Sequence, residues 1–177
     1  AYSEYLRIKN YSDGLEFVKE FENLIVTRTF SKIFALAGFR LGWAYSSKKV
    51  IQLLEKIRGP FNVNTVAQII GAKILKEKEF LLKSIVHNEK WQKLLPDEIN
   101  RLGQEENNPF TNFVLVKVEK KKFSKLRIIQ GLNKNNIFVR ELLNYNLPDY
   151  FRVSIGTESE MKKFLKVLKT LTVECKI

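Results

Sequence analysis

Apolar positions along this chain follow two periods in turn, and the switches between them mark its elements. Leu24, Ile25 and Val26 form a β-branched run of the kind a buried strand carries. Apolar positions 15, 17, 18 and 21 before it predict a short helix. A second short strand is expected over 41–45, after which Ser46 and Ser47 can cap a helix whose apolar positions are Val50, Ile51, Leu53, Leu54 and Ile57. Gly59-Pro60 should stop that helix. An extended connector is expected over 61–64. From Thr65 one long helical pattern is expected, with Val66, Ile69, Ile70 and Ile74 on one face. It keeps helical order through Phe80, Leu81, Ile85 and Trp91 to Leu95, where Pro96 is expected to break it.

Past a loop over 103–109, a strand is expected over 113–118, a helix over 123–132 and a short strand over 137–140. Residues 151–155 alternate, with Phe151, Val153 and Ile155 on one face and Arg152 and Ser154 on the other. Thr157 and Glu160 have the spacing of a capping box opening a last helix, whose buried stripe is Met161, Phe164, Leu165, Leu168 and Leu171. The order of strands and helices predicts an α/β architecture. No internal repeat or low-complexity segment interrupts it.

With 177 residues, 45% hydrophobic and 28% charged, the chain can bury a core in one or two compact units and reads as soluble. No apolar run is long enough to span a membrane, and no signal-peptide pattern opens the chain. A single cysteine, Cys175, cannot form an internal disulfide, so a reducing, cytoplasmic setting is expected. The net charge of +12 raises nucleic acid as a partner. Only the run 117–122 is dense in lysine, however, and no zinc-finger, RNA-recognition or helix-turn-helix pattern is present, so no nucleic-acid or metal site is expected. The only histidine, His87, reads as a surface or packing residue.

The chemistry concentrates between the first two strands. Thr29 and Ser31 bracket a turn beside Lys32, and Arg40 follows eight positions after the lysine, past the small-residue step Ala37-Gly38. A lysine amine is a nucleophile toward an aldehyde once its pKa is lowered, and a guanidinium fork grips a phosphate dianion bidentately. Hydroxyls can donate to the remaining phosphate oxygens, and Gly38 is expected to let the chain pass close to such a ligand. A basic surface loop is the reading that composition alone favours.

The run Thr29, Ser31, Lys32, Leu36, Ala37, Gly38, Arg40, Gly42 and Trp43 fits T-x-S-K-x-x-x-L-A-G-x-R-x-G-[WY] without a gap. That signature resembles the cofactor-lysine segment of fold-type-I pyridoxal-phosphate aminotransferases, and within them most closely the histidinol-phosphate aminotransferases. The resemblance implies that Lys32 is the Schiff-base lysine and that Thr29, Ser31 and Arg40 hold the phosphate of pyridoxal 5'-phosphate. Ala1-Tyr2 resembles the end of the family's D-E-A-Y segment, which makes Tyr2 the tyrosine that bonds the cofactor's phenolic oxygen.

Near the other end, Arg140 and Arg152 are separated by a turn containing Pro148, and two strands of one sheet could aim both guanidinium groups into one cleft. Pattern alone favours reading them as unrelated surface arginines. The segments 136–141, 147–148 and 151–157, with Thr111-Asn112-Phe113, resemble the small domain of the same family. There the later arginine anchors the substrate's distal group and the earlier one assists with its phosphate.

The resemblance implies the C-terminal part of the pyridoxal-phosphate transferase large domain, a mixed sheet with helices, over residues 1–64. A long linking helix region over 65–95 and a small C-terminal α/β domain over 96–177 follow. It further implies transamination of histidinol phosphate with 2-oxoglutarate, in a homodimer, within histidine biosynthesis. An aromatic amino-acid aminotransferase and a phosphothreonine decarboxylase share the lysine signature, and a non-catalytic basic binding domain is the alternative from another class. The family's glycine-containing phosphate loop, stacking aromatic and pyridine-nitrogen aspartate have no counterpart here, so these residues alone are expected to be inactive.

Overall fold

The computed structural model describes residues 1–102, 105–106, 109–119 and 124–174. Most of the loop expected over 103–109, Lys120, Lys121 and Lys122 of the basic run, Phe123 and Cys175 lie outside the described residues. The chain divides into two compact units, Ala1–Val86 and His87–Ile177, so the stretch 65–95 is shared between them.

In the first unit, β1 (Ile25–Thr29) and β2 (Gly42–Ser46) pair antiparallel, with Arg28 opposite Trp43 and Thr29 opposite Gly42. Of the apolar run expected to be buried, Val26 is buried while Ile25 is 42% exposed. Successive side chains leave opposite faces of a strand, so the three could not all reach one core. The helix expected over 15–21 is a single 3-10 turn, Glu16–Lys19, because Val18 alone is buried and Phe17 and Phe21 stay exposed.

Helix α1 (Lys48–Ile57) is capped by Ser47, whose Oγ accepts from the Val50 N–H, whereas the Ser46 hydroxyl donates to the Leu24 carbonyl at 2.6 Å. It ends before Gly59-Pro60, as the sequence requires. Helix α2 (Thr65–Ile74) is capped by Asn64, whose side-chain oxygen accepts from the Ala67 N–H at 2.8 Å.

The single long helix expected from Thr65 is two helices. Short-range bonds from Lys76 N–H to the Lys73 carbonyl and from Glu77 N–H to the Ile74 carbonyl tighten and end α2, and α3 spans Lys78–Arg101. The turn lets Ile70, Ile74, Leu81 and Ile85 all meet one apolar cluster. Pro96 does not break α3, which continues to Arg101. Proline removes one backbone hydrogen bond, but Leu95, Pro96 and Ile99 are all buried there, and packing of that face outweighs the loss.

The second unit is an antiparallel sheet ordered β3 (Glu105–Glu106), β4 (Phe113–Lys117), β6 (Tyr150–Ser154) and β5 (Arg140–Glu141). Strand β5 is shorter than the 137–140 expected. Asn136 takes φ +56° and the Ile137 N–H turns back to the Leu132 carbonyl at 3.0 Å, closing α4 (Lys125–Lys134) and holding 137–139 out of the ladder.

Val114 and Val116 of β4 and Phe151 and Val153 of β6 pack with Ile128 and Leu132 of α4. Phe164 and Leu168 of α5 (Glu158–Glu174) and Trp91, Leu95 and Ile99 of α3 complete that core. Leu165, expected in the α5 stripe, is half-buried at its margin. The capping box forms in both directions: Thr157 N–H donates to Glu160 Oε2 at 2.7 Å, and Glu160 N–H to Thr157 Oγ1 at 3.4 Å. Among the described residues no helix is long and apolar enough to cross a membrane.

Candidate active site

The turn from Thr29 to Gly42 is built by its apolar residues and displays its polar ones. Phe30, Ile33, Phe34 and Leu36 are buried, and the Phe30 and Phe34 rings meet at 5.0 Å. The Phe30 N–H donates to the Leu41 carbonyl and the Leu36 N–H to the Phe30 carbonyl, which closes the loop at its base. Lys32 therefore stands between buried anchors on either side, its backbone pinned and its side chain exposed. Burying four such side chains is worth about 1.5–3 kcal/mol each, ample to hold one exposed lysine in place.

Around that lysine the structure joins some of the sequence-predicted residues directly. Thr29 Oγ1 accepts from the Ser31 N–H at 3.0 Å. Lys32 Nζ lies 5.5 Å from the centroid of the Tyr2 ring. Arg40 adopts the left-handed conformation at φ +55°, and its Nη1 donates to the Ala37 carbonyl at 2.7 Å. The guanidinium is thus aimed by its own loop rather than by the hydroxyls. Among the described residues no carboxylate pairs with Lys32 or Arg40. An amine, two hydroxyls and a guanidinium free of counter-ions are a donor set that fits an aldehyde carrying a phosphate.

Gly42 is required by a close approach within the hairpin itself. A Cβ at Gly42 would sit 2.8 Å from the Arg28 carbonyl oxygen of the paired strand, while one at Gly38 would meet open space.

Sequence reasoning passed over the residue next to the signature. Arg28 Nη2 pairs with Asp13 Oδ2 at 3.0 Å and donates to the Asp13 carbonyl at 2.9 Å, and its guanidinium carbon lies 5.9 Å from the Trp43 ring. The signal was the hairpin register, which sets Arg28 opposite Trp43. The Leu15 N–H first, and Arg28 after it, hold the Asp13 carboxyl below its ordinary range. Burial, then the nearby Glu4 and Tyr2, push the Tyr5 phenol up. Together these contacts tie the segment preceding β1 to the hairpin that carries Lys32.

In the second unit Arg140 and Arg152 are register partners on β5 and β6. They share the sheet face opposite Phe151 and Val153, and both line a cleft of about 670 Å³ with Ser154, Gly156, Glu160 and Lys163. Like charges directly opposite each other repel. No described carboxylate pairs with them: the neighbouring Glu141 pairs instead with Lys125 at 3.3 Å, and Glu160, at the cleft wall, accepts from Thr157. His87, expected as a surface or packing residue, has Nε2 2.8 Å from the Gly156 carbonyl just past β6. Sequence reasoning also missed Glu158, which accepts from both Lys90 Nζ and Trp91 Nε1.

Residues 1–168 match the family described as aminotransferase class I and II. The chain belongs to that family. It is 36% identical over 96% of its length to the histidinol-phosphate aminotransferase of Maricaulis maris, of which it covers 47%. It is likewise 36% identical to that of Pelagibacter ubique, covering 97% of this chain and 48% of the relative. The chain therefore spans about half the length of the curated relatives it matches.

Among solved structures, the histidinol-phosphate aminotransferase of Clostridium acetobutylicum superposes with TM-score 0.87 at 26% identity, over 98% of this chain and 53% of that one. The Sinorhizobium meliloti enzyme in complex with pyridoxal-5'-phosphate gives TM-score 0.79 over 89% of this chain and 44% of that one, and at 23% identity shows the shared fold. Class I and II aminotransferases have one fold for many substrates, so the site has to speak for the activity.

Proposed function

We propose that this chain supplies the lysine-bearing half of a pyridoxal-phosphate aminotransferase site for a phosphorylated amine, histidinol phosphate, with 2-oxoglutarate as the acceptor. The observation that carries the substrate class is the in-register pair Arg140 and Arg152, two guanidinium groups side by side with which no described carboxylate is ion-paired. Such a pair suits a dianion, and each charge-assisted bond to one is worth about 1.5–3 kcal/mol.

Bound pyridoxal phosphate supplies an electron sink for the carbanion left when an amine loses its α-proton. Lys32 would hold the cofactor through Nζ and, with its amine free, would take the proton from the substrate Cα. Thr29, Ser31 and Arg40 hold the phosphate, and Tyr2 donates its hydroxyl to the cofactor's phenolic oxygen. Arg140 and Arg152 orient the substrate's anionic group. A second copy of the chain, in the cytoplasm, completes the reading that the family suggests.

The test is a chimera in which the N-terminal half of the Maricaulis maris relative precedes this chain. It is expected to transaminate histidinol phosphate with 2-oxoglutarate, and Lys32→Ala to abolish that turnover. Turnover surviving Lys32→Ala, or a preference for phenylalanine, overturns the proposal.

A further inference from the structure

Across β4 and β6, Phe113 stands opposite Ser154 and Leu115 opposite Arg152. Phe113 and Arg152 are therefore diagonal neighbours on one face, a spacing that long and aromatic side chains can bridge. They do: the Arg152 guanidinium carbon lies 5.0 Å from the Phe113 ring centroid. Arg152 Nε is buried and has no hydrogen-bond partner among the described residues. No described carboxylate or carbonyl accepts from the rest of the guanidinium, so the ring is the contact that fixes its plane.

We propose that Phe113 is the positioning residue for Arg152, a ring shelf that presents the outer N–H groups of the guanidinium to an anion in the cleft shared with Arg140. The inference rests on the reading of that arginine pair as an anion site. An arginine side chain loses considerable rotamer freedom on ordering, and an aromatic face that orders it beforehand spares the ligand that cost. The ring also offsets the desolvation of Nε, which no acceptor relieves.

The experiment uses the whole chain, with inorganic phosphate as the probe and the Arg152 Nε–H signal observed by NMR. In the wild type that proton is expected to be ring-current shifted and slow to exchange, unlike that of exposed Arg140. Phe113→Leu is expected to abolish the shift and weaken phosphate binding roughly two- to thirtyfold, the span of a cation–π contact. Phe113→Tyr keeps the ring and should retain both readouts, so it decides the matter even where the leucine variant folds poorly. An unshifted wild-type signal, or a tyrosine variant as weak as the leucine one, overturns the positioning role. Phosphate affinity unchanged by Arg152→Ala refutes the anion site itself, and the shift in the wild type still reports separately whether the ring holds the arginine.

Discussion

Lys32 Nζ lies 5.5 Å from the centroid of the Tyr2 ring, so two residues thirty positions apart meet at one point of the first unit. A ring below an exposed ammonium contributes about 0.5–1 kcal/mol and limits where that amine can swing. Borohydride treatment in the presence of pyridoxal phosphate is therefore expected to label Lys32 selectively. Tyr2→Phe should keep the label but weaken cofactor retention roughly two- to tenfold, through loss of one hydrogen bond. Peptide mapping reads the result, and preferential label on any other lysine counts against the assignment.

Arg40 joins a guanidinium proposed to hold the cofactor phosphate to a backbone that favours glycine, since it sits at φ +55°. Removing the guanidinium should weaken cofactor binding by about 1.5–3 kcal/mol in both Arg40→Ala and Arg40→Gly. The two variants should differ in stability, with glycine the more stable by about 1 kcal/mol because alanine inherits the left-handed strain. Cofactor titration and urea unfolding on the same two proteins check both halves. Equal stability would show that the loop relaxes around residue 40.

How much of this was legible in the sequence differed by feature. The turn around Lys32 and the capping box at Thr157 were legible because each is a local spacing of residues with fixed chemical roles. The side-by-side placement of Arg140 and Arg152 followed from alternation in β6, but their register depends on where β5 starts. That start was misjudged, because the return of the chain at Asn136 is a tertiary choice. Pro96 misled for the same reason: a local rule lost to the burial of Leu95 and Ile99 beside it. Arg28 was hidden because its partner Asp13 lies fifteen residues away with no periodicity connecting them.

Glu158 gives the second unit a pH signature. Hydrogen bonds from Lys90 first and then Lys162 lower its carboxyl from 4.5 to about 2. A depressed folded-state value means that the contribution of these pairs is complete above pH 4.5 and is lost as pH falls toward 2. Thermal stability of the wild type should therefore drop relative to Glu158→Gln within that window, and less so at high salt, which screens exposed pairs. Trp91 Nε1 donates to the same carboxylate at 3.1 Å, so its fluorescence should change over the same range in a Trp43→Phe background. Parallel stability curves for the two proteins would remove Glu158 from the acid response.

The two register-paired arginines should fail in different ways. Arg152 is held against Phe113 and lines the cleft from a central strand, so it is the fixed member of the pair. Arg140 lies exposed on the edge strand β5. Arg152→Ala is then expected to impair every substrate with an anionic group, including the 2-oxoglutarate half-reaction. Arg140→Ala should chiefly slow the phosphate ester, whose extra charge and oxygens give a second guanidinium something to hold. Each loss amounts to about 1.5–3 kcal/mol, or roughly ten- to a hundredfold in kcat/KM. The measurement is kcat/KM for histidinol phosphate, phenylalanine and 2-oxoglutarate in the chimera carrying either variant. If Arg140→Ala slows phenylalanine as much as histidinol phosphate, the second guanidinium has no phosphate to recognise, and an aromatic amino acid becomes the better substrate for this site.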